Sequence, residues 1–199
     1  MAKKILVVGL GNPSAEYEKT PHNAGFWTAQ EFLEENGGVW EHSRKIEGKT
    51  SKLLFPDAEL FFLLPFTFMN KSGTAVQKAL HFWKIEKENL IVLHDDSDIG
   101  LGRIKIVFGQ NSGGHKGVEN IIKTIGTNKF TRVKMGIRPE RLQKSGQKPR
   151  IKAEKFVLKP FSDKEIQKLA KAGSEALQFV LEEGREKAMS RFNDPNCQF

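Results

Sequence analysis

Ile5-Leu6-Val7-Val8-Gly9-Leu10-Gly11-Asn12-Pro13 decides the fold of this chain. The apolar run is rich in β-branched residues and does not alternate with polar ones, which predicts a central strand buried on both faces. Gly11-Asn12-Pro13 breaks it at its carboxyl end. In open α/β sheets ligands bind outside the carboxyl ends of the strands, so the residues that follow this run are where chemistry is expected.

Working outward, Ala24, Trp27, Phe32 and Leu33 recur at helical spacing between about 23 and 35, and Gly37-Gly38 supplies a stop. Segments 51–55 and 59–64, joined by Pro56-Asp57-Ala58, predict a hairpin. Asn70 is expected to cap a helix that places Val76, Leu80 and Trp83 on one face. Leu90-Ile91-Val92-Leu93 predicts a second fully buried strand, ending at the acidic cluster His94-Asp95-Asp96-Ser97-Asp98. Segments 104–108 and 132–137 alternate like strands, with a Gly-rich turn and a helix over about 118–125 between them. Ser162-Asp163-Lys164-Glu165 resembles a capping box opening a long amphipathic C-terminal helix. This alternation predicts an α/β fold over 1–199: a single domain whose twisted, mixed and mostly parallel sheet is flanked by helices.

A chain of 199 residues can bury one sizeable core. Lysine and arginine number 32 against 24 acidic residues, a formal charge of +8 that suits a polyanionic partner. The one cysteine, Cys197, excludes an intramolecular disulfide and a cysteine-based zinc site, and a reducing cytoplasmic setting is expected. The apolar run after Lys3-Lys4 is too short for a signal peptide, and no segment approaches the ~20 apolar residues of a membrane span. A soluble protein is therefore expected. The stretch 139–155 carries Arg141, Lys144, Lys148, Arg150, Lys152 and Lys155, and reads either as a solvated mobile loop or as a face for phosphates.

Two polar clusters follow buried strands: Asn12 with nearby Thr20-Pro21-His22-Asn23, and the cluster around Asp95. A dinucleotide site is disfavoured, because Ser14 replaces the third glycine and Pro13 occupies the start of the required helix. The acidic cluster lacks the spacing of a calcium loop, since Gly100 and Leu101 fall where a ligand and a glycine are needed, while magnesium held through one or two of these carboxylates stays open. No G-x-S-x-G elbow is present and the cysteine lies at the tail, so a covalent hydrolase gains little support. A histidine near one strand end and an aspartate near another can instead form a hydrogen-bonded pair that activates water. The plainer readings stay open: His22 as a helix-start residue, Asn70 as a cap, Phe66, Phe68 and Met69 as core, and Lys134 as the solvent face of a strand.

Four blocks taken together resemble the bacterial-type peptidyl-tRNA hydrolase family. They are Leu6 to Pro13 with Glu16-Tyr17 and His22-Asn23-Ala24-Gly25; Pro65-Phe66-Thr67-Phe68-Met69-Asn70-Lys71-Ser72-Gly73; His94-Asp95-Asp96 with Asp98; and Gly113-Gly114-His115-Lys116-Gly117. Phe156-Val157-Leu158 and Lys187-Ala188-Met189-Ser190-Arg191-Phe192-Asn193 extend the resemblance almost to the end of the chain. It implies hydrolysis of the ester between the peptide and the 3′ end of tRNA, releasing tRNA for reuse in translation, by a monomer that needs no metal or organic cofactor. It further implies that His22 is the general base, that Asp95 stabilises its working form, and that Asn12 distinguishes peptidyl-tRNA from aminoacyl-tRNA. Tyr17, Phe68, Met69 and Asn70 resemble residues that line the substrate channel, and Lys105 and Lys134 resemble the tRNA-facing side. Two positions depart from the family pattern: Pro21 stands where arginine is common, and Lys116, beside the substrate, stands where asparagine is common. Lysine only donates, whereas an amide donates and accepts. Two other readings of such a chain are an RNA-binding factor without turnover and a hydrolase of another carboxylic ester.

Overall fold

The computed structural model describes residues 2–139 and 159–194. In chain order the elements are β1 (Lys3–Gly9), α1 (Ala24–Glu35), β2 (Glu41–Ser43), β3 (Gly48–Phe55), β4 (Ala58–Pro65), α2 (Ser72–Trp83), β5 (Leu90–Gly100), β6 (Ile104–Phe108), α3 (Lys116–Ile125), β7 (Thr131–Arg138), α4 (Asp163–Glu183) and α5 (Arg185–Phe192). The strands form one seven-stranded mixed sheet in the order β2-β3-β4-β1-β5-β7-β6. The four central strands, β4, β1, β5 and β7, run parallel, while β3 pairs antiparallel with β4 and β6 with β7.

The decisive run is β1, held between β4 and β5. Its side chains alternate between two cores: Ile5 and Val7 pack toward α1 and α4, and Leu6, Val8 and Leu10 toward α2 and α3. Because both faces are covered, no polar residue interrupts the strand. The exit of β1 leads to α1 on one face, and that of β4 leads to α2 on the other. A crevice opens between such diverging exits, at the carboxyl edge of the sheet.

The hairpin is β3–β4, in register from Gly48↔Pro65 to Phe55↔Ala58. The capping box is formed: Ser162 Oγ accepts from Glu165 N, and Glu165 reaches back to Ser162 N at 2.9 Å. Three expectations are corrected. Asn70 caps no helix; it lies exposed in a 3₁₀ turn, Met69–Lys71, and Lys71 occupies the start of α2 without a side-chain cap bond. The second buried strand does not end at the acidic cluster, because β5 continues through it, paired with β7 beyond the end of β1. Phe66 and Phe68 are exposed, and only Met69 of that trio joins the core. Most of the basic stretch, 140–155, lies outside the described residues, as does Cys197. Among the described residues, no helix is long and apolar enough to cross a membrane.

Candidate active site

The site is built from four short segments at the carboxyl edge of the sheet. After β1, the backbone N–H of Asn12 donates to Asn23 Oδ1 at 2.8 Å, and Asn23 Nδ2 returns a bond to the Asn12 carbonyl at 3.1 Å. This reciprocal pair ties the end of β1 to the start of α1. Pro21 is buried at the first position of the 3₁₀ turn Pro21–Asn23, where its fixed φ suits the turn that presents His22. The departure at position 21 thus replaces a cation with a rigid turn.

His22 Nδ1 lies 2.8 Å from Asp95 Oδ1 on β5, and the aspartate is almost fully buried. The same oxygen is 3.0 Å from His115 Nε2, at the start of α3. The Val118 N–H donates to His115 Nδ1 at 3.3 Å, so a neutral His115 carries its proton on Nε2 and donates it to Asp95. Behind them the buried His94 donates through Nδ1 to the Asp95 carbonyl at 2.7 Å and packs edge-on against His115, ring centroids 4.6 Å apart.

Burial alone would raise the Asp95 pKa, but the charges and hydrogen bonds of His115 and His22 outweigh it and hold the carboxyl ionised, far below the usual carboxylate range. Burial pulls the His22 pKa down and Lys116 opposes protonation too, yet the Asp95 charge and hydrogen bond prevail, and it stands above the ordinary 6.5. His94 is held well below that value, first by burial and then by the neighbouring His115 and Arg132.

On the far side of the crevice, the Met69 N–H donates to Asn12 Oδ1 at 2.9 Å. A backbone N–H can only donate, so this bond fixes the amide orientation and leaves Asn12 Nδ2 as the donor for a ligand. Met69 in turn packs where Gly117 has no side chain; a Cβ at Gly117 would collide with Met69 Sδ and press on Leu10 and His115. Hydrogen bonds and chain adjacency thus link Met69, Asn12, Asn23, His22, Asp95 and His115 in series, and Gly117 lies between Met69 and His115.

Of the residues expected in the site, this series contains His22, Asp95, Asn12 and Met69. Lys116 is the first residue of α3, next to His115. Asn70 and Phe68 flank Met69 with exposed side chains. Tyr17 is half-buried in a separate 3₁₀ turn, and Lys105 and Lys134 lie opposite one another on β6 and β7. Sequence reasoning missed Asn23 and His115 as site residues. Each precedes or opens a helix at the strand ends, and for His115 the preceding Gly113-Gly114 was the available signal. Atoms of His22, Asp95 and His115 suited to metal ligation lie within 4.8 Å of one another. The His115 proton, however, is directed at Asp95 where a metal ligand would need a lone pair, so the arrangement fits proton handling better.

A single mixed sheet with a histidine–aspartate–histidine cluster at its parallel strand ends defines an α/β protein whose site is suited to moving a proton. The peptidyl-tRNA hydrolase family model matches residues 6–198, and the chain belongs to that family. It is similar to the peptidyl-tRNA hydrolase of Thermodesulfovibrio yellowstonii, 38% identical over 95% of this chain and 98% of that one. The peptidyl-tRNA hydrolase of Lactobacillus johnsonii is 38% identical over 88% and 90% of the two chains. The crystal structure of the Acinetobacter baumannii peptidyl-tRNA hydrolase superposes with a TM-score of 0.81 at 30% identity, covering 98% of this chain and 96% of that one.

Proposed function

We propose that the chain hydrolyses the ester joining the peptide to the 3′ end of tRNA, with His22 as general base. The observation that carries this reading is the 2.8 Å contact of His22 Nδ1 with Asp95, in a member of this family. With its Nδ1–H donating to the Asp95 carboxylate, neutral His22 keeps a lone pair on Nε2. Water bound there loses a proton to Nε2 as its oxygen adds to the ester carbonyl. Asp95 stabilises the imidazolium so formed. When the tetrahedral adduct collapses, the C–O bond to the ribose breaks and the departing oxygen takes the proton from Nε2, restoring the base. Amide donors at the edge of the crevice stabilise the developing negative charge, and the free Nδ2 of Asn12 is a candidate for this.

Asn12 also supplies the means to spare aminoacyl-tRNA. Its outward group is a donor, so it donates to the carbonyl oxygen of a peptide bond and gives nothing to a charged amine, which must be desolvated without an anion. Turnover of N-acetyl-aminoacyl-tRNA tests the assignment. We expect cleavage of this substrate in preference to both aminoacyl-tRNA and simple esters. Binding without cleavage would make the chain an RNA-binding factor, and equal cleavage of simple esters would make it a general esterase.

A further inference from the structure

Arg132 on β7 is 1% exposed, on the sheet face covered by α3, and the chemistry above makes no use of it. It stands opposite Val92 on β5 and Val107 on β6, positions where an apolar side chain would pack at lower cost than a guanidinium. Its Nη2 donates to the carbonyls of Gln110 at 3.0 Å and Asn111 at 2.9 Å. Its Nε and Nη1 have no hydrogen-bond partner among the described residues. The arginine is therefore poorly explained as a stabiliser of the core and better explained by the two carbonyls it reaches.

Those carbonyls belong to the segment that joins β6 to α3 and ends in His115. Gly109, Gly113 and Gly114 adopt φ of 66°, 62° and 84°, a backbone region that suits glycine and leaves the segment with much conformational entropy to lose. Its own bonds are local, from Gly114 N to Ser112 Oγ and from His115 N to the Ser112 carbonyl. The link from its middle to the sheet is Arg132. The link from its end to the site is His115 on Asp95.

We propose that Arg132 is a positioning residue: by tying the Gln110 and Asn111 carbonyls to β7, it holds segment 109–115 in the one conformation that keeps His115 Nε2 on Asp95. The inference rests on the reading of His22 and Asp95 as the catalytic pair. One planar nitrogen serving two successive carbonyls is a task for a guanidinium, which is pre-organised where an ammonium is not. The charge of Arg132, after burial and His115, also disfavours protonation of His94, which donates through Nδ1 to the Asp95 carbonyl. Both effects converge on the same aspartate.

The test combines hydrogen exchange with a double-mutant comparison. In Arg132→Met, amides of 110–116 should exchange faster while those of β1 and β5 do not, and kcat should fall about tenfold or more with KM within about threefold. If Arg132 acts through His115, then Arg132→Met combined with His115→Phe should be no slower than His115→Phe alone. Rate losses that multiply, or unchanged exchange in 110–116, would overturn the proposal. Arg132→Gln, polar and too short to reach both carbonyls, repeats both measurements should the methionine variant not fold. If the wild type does not cleave N-acetyl-aminoacyl-tRNA, the catalytic reading fails; faster exchange still supports the tie, and unchanged exchange still refutes it.

Discussion

A single aspartate oxygen receives two imidazole donors, and this sets the pH behaviour of the site. If His22 is the base, as proposed, it must be neutral to act, and its raised pKa should place the acidic limb of kcat/KM above the limb of an ordinary imidazole near 6.5. Asp95→Asn removes the charge that favours imidazolium and leaves burial to dominate. The limb should therefore move to lower pH while the rate falls, because the imidazolium of the transition state loses its counter-charge; an unmoved limb would show that the two residues are not coupled. His22→Asn should lower kcat by about 10² to 10⁴ with tRNA affinity nearly unchanged, and near-normal turnover would end the assignment. Asn12 is tested by charge at constant shape. Asn12→Asp offers an anion to the free amine, so cleavage of aminoacyl-tRNA should rise relative to its N-acetylated form; a constant kcat/KM ratio would remove Asn12 from discrimination.

The elements place these residues through close backbone approach. At the start of α1, a Cβ on Gly25 would strike the Leu93 carbonyl and the Leu10 backbone, so the helix sits directly on the exits of β1 and β5. Gly25→Ala should cost about 1–3 kcal/mol of stability in denaturant melts and reduce kcat as well, since His22 moves with the helix start. Stability lost without a change in kcat would show that α1 does not set the position of the base. Such approach explains what could be read from sequence and what could not. β1, the hairpin and the Ser162 cap announce themselves through local periodicity and turn chemistry, Asp95 is marked by the apolar run just before it, and His22 by its place at the start of the helix that follows β1. The continuation of β5 through Asp95 and Asp96 is not a local property: it exists because β7 pairs alongside. The convergence of His115 on Asp95, and the burial of Arg132, likewise depend on the order β1-β5-β7-β6, which no window of sequence contains. Asn70 has the composition of a cap, yet the chain makes a 3₁₀ turn at that point and leaves its amide exposed.

At the scale of the whole molecule the question is how a chain of charge +8 meets a polyanion. Lys105 and Lys134 face each other across β6 and β7, on the same side of the sheet, where two ammonium groups would repel unless anions separate them. For Lys134 that anion is internal, since its Nζ is ion-paired with Asp96 on β5 and both groups are largely buried. Lys105 is exposed. The two lysines, alike by sequence, should therefore behave differently toward tRNA. If phosphates bind this face, log K for tRNA should fall linearly with log salt, and Lys105→Ala should flatten the slope by about 0.7–0.9 for one lost contact. Lys134→Ala should change the slope less, because its ammonium is already neutralised, yet lower affinity at every salt concentration by leaving Asp96 unpaired near the phosphates. Equal flattening by the two variants would mean that Lys134 leaves Asp96 when RNA arrives, and a binding constant indifferent to salt would exclude this face as the phosphate contact.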